Sequence, residues 1–157
     1  MKTSILLSDR TYLEYIYDLL TEQTLSLEKF IHHKHTTRLR HSLYVSYLNY
    51  RICRILKLDS RSAARAGLLH DYFFYERKEY NKKRTGPGHM RAHPSTALEN
   101  ASSEFEISDK EADIILNHMW PCTFKRPRYP ESVIIILVDK FCAVSEVLRI
   151  KNKTTRL

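Results

Sequence analysis

"ARAGLLHDYFFYER", residues 64–77, sets a histidine and an aspartate side by side at the end of an apolar helical stretch. The small residues Ala63, Ala66 and Gly67 lie one and two turns before His70 on the same helical face, which lets a neighbouring helix come close. A buried imidazole or carboxylate without a partner is costly. His70 and Asp71 therefore need partners from elsewhere in the chain.

The preceding segment reads as a long helix. From His41 the apolar residues Val45, Leu48, Ile52 and Leu56 follow at steps of four, three, four and four, one face of a helix. It ends near "KLDS", where Asp59 or Ser60 can cap the helix that carries His70. Further upstream, residues 9–20 show mixed three- and four-residue apolar steps, and a short second helix is predicted over 26–33.

Downstream, "KEYNKKRTGPGHMRA" (78–92) breaks the periodicity. Gly86 and Gly88 flank Pro87, and this predicts a mobile basic loop. Pro94 suits the first position of the next helix. Ser108 and Glu111 have capping-box spacing for a helix that stops at Pro121. "PCTFKRPRYP" is a second basic loop. In the last segment, 131–149, the β-branched "VIIILV" run makes strand a local competitor, but length and Pro130 favour a helix. A frayed basic tail follows. The result is an all-α fold of six or seven helices.

The bulk composition agrees. A chain of 157 residues, 43% hydrophobic, can build one compact core and is short of two. It has 3 glycines, where average usage would give about 11, so all-β folds and glycine-rich phosphate loops fit poorly. Cys53, Cys122 and Cys142 are widely spaced, with no C-x-x-C pair, so neither a disulfide framework nor a zinc finger is indicated. The N-terminal apolar run is too short for a signal peptide. No segment approaches the roughly 18 apolar residues of a membrane span. A cytoplasmic protein with no membrane partner is expected. The net charge of +8 suits anionic partners.

Several ionisable residues fall on apolar stripes. His41 lines up with Val45, Leu48 and Ile52. His118 follows Ile114 and Ile115 by four and three residues. Asp139 follows Ile135 and Ile136 in the same way and precedes Cys142 and Ala143. His93 stands at the start of its helix. Inward imidazoles and carboxylates on separate helices satisfy one another around divalent cations. Mixed nitrogen and oxygen donors suit Fe, Mn, Co, Ni or Zn. Six candidates, His41, His70, Asp71, His93, His118 and Asp139, exceed one tetrahedral ion and fit two with a bridging carboxylate.

The order His41, His70–Asp71, Asp139 resembles the HD superfamily of metal-dependent phosphohydrolases, whose pattern is H…HD…D on an all-α scaffold. The resemblance covers roughly residues 36–148, and implies one HD domain over 1–157 with a short helical N-terminal extension. His93 and His118 match the two further histidines of the dinuclear H…HD…H…H…D type. In that respect the chain is similar to bacterial diadenosine tetraphosphate hydrolases of the superfamily and to small HD-domain proteins. The resemblance implies that His41, His70, Asp71 and Asp139 hold a first metal, that His93 and His118 complete a second, and that Asp71 is catalytic and able to bridge the two. A metal-bound hydroxide would then attack phosphorus. His89 rivals His93, but the proline and helix after His93 fit the pattern better. His32, His33 and His35 read as surface residues. "HDYFFYER" lacks the lysine that follows HD in the cyclic-dinucleotide phosphodiesterases, and no GYP motif exists, so that branch is disfavoured.

The expected substrate is a phosphorylated small molecule such as a nucleotide, with nucleic acid less favoured. Arg77, Lys82, Lys83 and Arg84 are candidate phosphate contacts. Lys125, Arg126 and Arg128 could rim the same site from the second basic loop, and Arg40 adjoins His41. Tyr72, Phe73, Phe74 and Trp120 could wall a pocket, with core packing the better role for the two phenylalanines. The rival reading is a metal-containing binding module that takes up nucleic acid or a phosphorylated ligand without turnover.

Overall fold

The computed structural model describes residues 8–33, 36–83, 85–123 and 125–154. The fold is all-α, with eight α-helices among the described residues: α1 (Arg10–Ile16), α2 (Glu22–Leu25), α3 (Arg38–Ile55), α4 (Ser60–Leu69), α5 (Arg77–Lys83), α6 (His89–Glu104), α7 (Asp109–Asn117) and α8 (Pro130–Thr154). Two short strands, β1 (Ile31–His33) and β2 (Thr36–Thr37), form an antiparallel pair before α3. No helix among the described residues is long and apolar enough to cross a membrane.

Helix α4 sits at the centre, packed on α1, α3, α6, α7 and α8. Its N-terminus is capped by Asp59, which accepts from Ser62 N. Gly67 permits the closest approach: a Cβ there would stand 2.7 Å from Ser46 Cα of α3. The α3 face against α4 is accordingly built from small and polar residues, Ser42, Ser46 and Asn49, all buried. This rotates the helix from the stripe that the sequence suggests. Val45 is buried, Leu48 and Ile52 are half-buried, and Leu56 is exposed. Tyr12 of α1 closes the side of the core with its ring against Tyr47 and its hydroxyl donating to Ser46 Oγ at 3.0 Å.

Four further expectations are corrected. Residues 26–33 are not one helix; a 3₁₀ turn (Ser26–Lys29) leads into β1, whose pairing is locked as Arg38 N donates to Phe30 O at 2.8 Å. The basic segment after Arg77 is not all loop. It folds as α5, anchored by Tyr80 stacked on Tyr75 at 4.8 Å, and only the Gly–Pro–Gly region remains a turn. Pro94 lies inside α6, because extended Gly88 starts the helix five residues earlier than expected. Helix α8 runs to Thr154 rather than 149. The capping box at Ser108 and Glu111 is present on α7.

Candidate metal centre

Three of the inward imidazoles are aimed by the helices that carry them. The last carbonyls of a helix lack intrahelical partners, and His70 and His118 are the C-cap residues of α4 and α7. Their Nδ1 atoms reach Gly67 O at 2.9 Å and Ile115 O at 2.7 Å. In α6, His93 Nδ1 reaches His89 O at 2.9 Å. A carbonyl only accepts, so all three rings carry a proton on Nδ1, and each ring when neutral turns an Nε2 lone pair inward.

These lone pairs converge on Asp71, the residue after the α4 cap. His93 Nε2 lies 3.3 Å and His118 Nε2 3.8 Å from Asp71 Oδ1, while His70 Nε2 lies 3.8 Å from Oδ2. On the other side, His41 Nε2 is 3.0 Å and His70 Nε2 3.7 Å from Asp139 Oδ1. The donor atoms of His41, His70 and Asp71 all fall within 4.8 Å of one another, and so do those of Asp71, His93 and His118. Asp71 is common to both groups.

Two observations show that this set suits a cation. His70 Nε2 is buried and has no hydrogen-bond partner among the described residues. His93 Nε2 and His118 Nε2 are 2.8 Å apart, although both rings have committed their protons to backbone carbonyls. Two bare lone pairs at that distance repel unless a positive charge lies between or beside them. Donors about 2.1 Å from one ion stand about 3.0 to 3.4 Å apart at right or tetrahedral angles, the range of the His93–Asp71 and His41–Asp139 separations.

The electrostatics agree. Burial, reinforced by His93 and His70, pushes His118 down to about 3, and burial also lowers His93. Both are neutral donors near pH 7. Burial opposes ionisation of Asp71, but the neighbouring histidines outweigh it and hold the carboxyl well below its usual range. Asp139 is held well below its usual range by the hydrogen bond to His41 and by His70 facing it, against the same opposition. His70 is raised despite its burial, because Asp71 and Asp139 face it. The carboxylates call for positive charge at the point where the imidazole lone pairs meet.

Comparison with protein families matches the HD domain over residues 38–144. The chain belongs to the HD domain family. No curated protein and no solved structure matches it. The HD domain places the protein in a superfamily of metal-dependent phosphohydrolases, and its buried His and Asp groups could hold divalent metal.

A cleft of about 260 Å³ opens onto the centre of the HD domain, lined in part by Arg38, Asp71, Phe73, Arg77, His118 and Asp139. A second cavity of about 550 Å³ shares Arg77, His89 and Met90 with it. Arg77 thus stands where the two meet. Lys82 and Lys83 are exposed on the last turn of α5 and line neither cavity. Arg84 lies outside the described residues. Lys125, Arg126 and Arg40 are exposed, and Arg128 is engaged with Asp113 through both its backbone N and its side chain. Of the aromatic candidates, Phe73 lines the cleft and Tyr72 is buried in the core, donating to Glu104. Trp120 is 38% exposed and lines neither cavity.

The two rival histidines of α6 separate clearly. His93 points at Asp71, whereas His89 stacks on it at 4.5 Å and shares a hydrogen bond with the Tyr75 hydroxyl. Sequence reasoning missed three residues. His32, read as surface, stacks on His41 at 3.8 Å and reaches Asp71 Oδ2 at 3.4 Å. Glu146, 9% exposed, contacts His41 Nδ1 at 3.0 Å. Arg38, 2% exposed, donates to Phe73 O at 2.6 Å and stacks on its ring. Helical spacing could have found two of them: Glu146 continues the Asp139–Cys142–Ala143 face, and Arg38 precedes His41 by three. For His32, which sits on a strand pair of only a few residues, the sequence held no periodic signal. The side chains of His33 and His35 lie outside what is described.

Proposed function

We propose that this HD domain is a phosphohydrolase acting on a nucleotide or another small phosphoester with two divalent transition-metal ions. His41, His70, Asp71 and Asp139 would hold one ion, and Asp71, His93 and His118 the other. The observation that carries this reading is the position of Asp71 between the two histidine groups, with the Nε2 lone pairs of His93 and His118 unsatisfied by any proton. Ions of the Fe, Mn, Co, Ni or Zn class, when bound, polarise phosphoryl oxygens and make water acidic enough to attack phosphorus.

The chain's own residues do the rest. Backbone carbonyls of α4, α6 and α7 hold the imidazoles in one tautomer, so the donors need no reorganisation. Arg77 offers a cation at the mouth of the cleft, where a phosphoryl oxygen enters. Arg38, pinned by Phe73 O and Tyr75 O, sets a fixed positive charge in the wall. Phe73 and Met90 keep one side of the cleft apolar and limit water.

The test is metal content and turnover on protein purified without oxygen. About two ions per chain and hydrolysis within a panel of nucleotides, dinucleoside polyphosphates and phosphodiesters are expected, both lost in Asp71→Ala. A metal-free wild type that stays metal-free on reconstitution would sink the proposal. Bound metal with no turnover, together with salt-sensitive nucleic-acid binding, would instead favour the binding module.

A further inference from the structure

The four histidines of the proposed ligand set are not held alike. His70, His93 and His118 each give the Nδ1 proton to a carbonyl of their own helix. His41 lies in the first turn of α3, where the nearby carbonyls already accept the first bonds of the helix, and it takes a side chain instead. Its Nδ1 contacts Glu146 Oε1 at 3.0 Å.

The same carboxylate holds a second ring. Glu146 Oε2 lies 3.4 Å from His32 Nδ1. The rings of His32 and His41 stack at 3.8 Å with planes 21° apart. Both therefore turn their Nε2 atoms the same way, His41 toward Asp139 Oδ1 at 3.0 Å and His32 toward Asp71 Oδ2 at 3.4 Å. The donor atoms of His32, His41 and Glu146 fall within 4.8 Å of one another. Two parallel imidazoles, clamped from behind by one carboxylate, thus face the two aspartates of the centre. A carboxylate behind an imidazole fixes its tautomer and raises its basicity as a ligand.

We propose that Glu146 is a positioning residue that clamps both rings, and that His32 is an additional metal ligand beside His41, delivered by the β1–β2 pair. The inference rests on the metal-binding reading above. It makes β1 part of the centre: the strand lies before the residues matched to the HD domain, yet it supplies a donor.

The probe is Co²⁺ alone, added to the metal-free full chain, with affinity measured against a competing chelator and imidazole ligands counted by X-ray absorption at the cobalt edge. His32→Gln should lower affinity at least tenfold and remove about one imidazole from the count, and Glu146→Gln should cost about 10- to 100-fold. Glu146→Asp should recover part of that loss. Wild-type affinity and an unchanged cobalt spectrum in folded His32→Gln would overturn the proposal and leave His32 as an ion-pair bridge between Asp71 and Glu146. Should that variant not fold, ¹⁵N-histidine spectra of the wild type with Zn²⁺ decide: a metal-shifted Nε2 on His32 supports the ligand, and an unshifted one overturns it. A wild type that binds no Co²⁺ at all overturns the proposed function as well, whereas normal binding without His32 overturns only this inference.

Discussion

A methyl group on residue 67 would press into Ser46 Cα at 2.7 Å and Ser46 N at 3.1 Å. Alanine is the better helix former by about 1 kcal/mol, but overpacking against backbone costs about 1 to 3 kcal/mol, and backbone cannot swing aside as a side chain can. Gly67→Ala should therefore lower stability to urea by up to about 2 kcal/mol and weaken metal binding, because Gly67 O also orients His70. A variant more stable than the wild type would contradict so close an approach. Both the small-residue face and the His70–Asp71 pair were legible in the sequence, because each violates an expectation about what an apolar helix carries. His32 was not, because a histidine in a polar stretch violates nothing until β1 carries it onto His41.

Among the elements, α7 brings His118 to the centre and is tied to α4 by charge. Arg65 Nε donates to Glu111 Oε1 at 2.6 Å, Arg65 Nη1 reaches Asp18 at 2.6 Å, and the other Glu111 oxygen accepts from Ser108 N in the capping box. Arg65 and Glu111 are both 4% exposed. Removing one partner of a buried pair leaves the other charge stranded, at a cost of about 3 to 5 kcal/mol. Arg65→Ala should destabilise the chain by about that much, while Arg61→Ala, on the exposed side of the same helix, should stay within about 0.5 kcal/mol. Equal midpoints in chemical denaturation would refute the pair's importance. The caps at Asp59 and Ser108 were readable because capping is local chemistry. Helix α5 and the β1–β2 pair were not, because their order comes from contacts such as Tyr80 on Tyr75 and Arg38 on Phe30 O, which sequence neighbours do not announce.

At the scale of the molecule, the donors come from α3, α4, α6, α7 and α8, so the site exists only when these helices are packed. A cation that binds the native state alone adds about 2.7 kcal/mol at a hundredfold excess over its dissociation constant. For a chain of this size that corresponds to a rise of roughly 5 to 10 °C in Tm. Such a rise should follow addition of Co²⁺ or Mn²⁺ to the metal-free protein, reverse with chelator, and vanish in Asp71→Ala; an equal shift in that variant would place the ion elsewhere. The sequence by itself determined the all-α fold and pointed to the core helices and to six of the residues proposed as ligands, because helical period and the cost of burying polar groups are both written locally. Only the tertiary structure decided that Asp71 lies between two histidine groups, that His93 rather than His89 faces it, and that Arg77 alone of the described basic candidates reaches the cleft. It also brought His32 and Glu146 to the same centre. Those facts depend on how far helices separated in the chain approach one another, and here the close contact at Gly67 and the ring-to-carbonyl bonds at the helix ends set the approach.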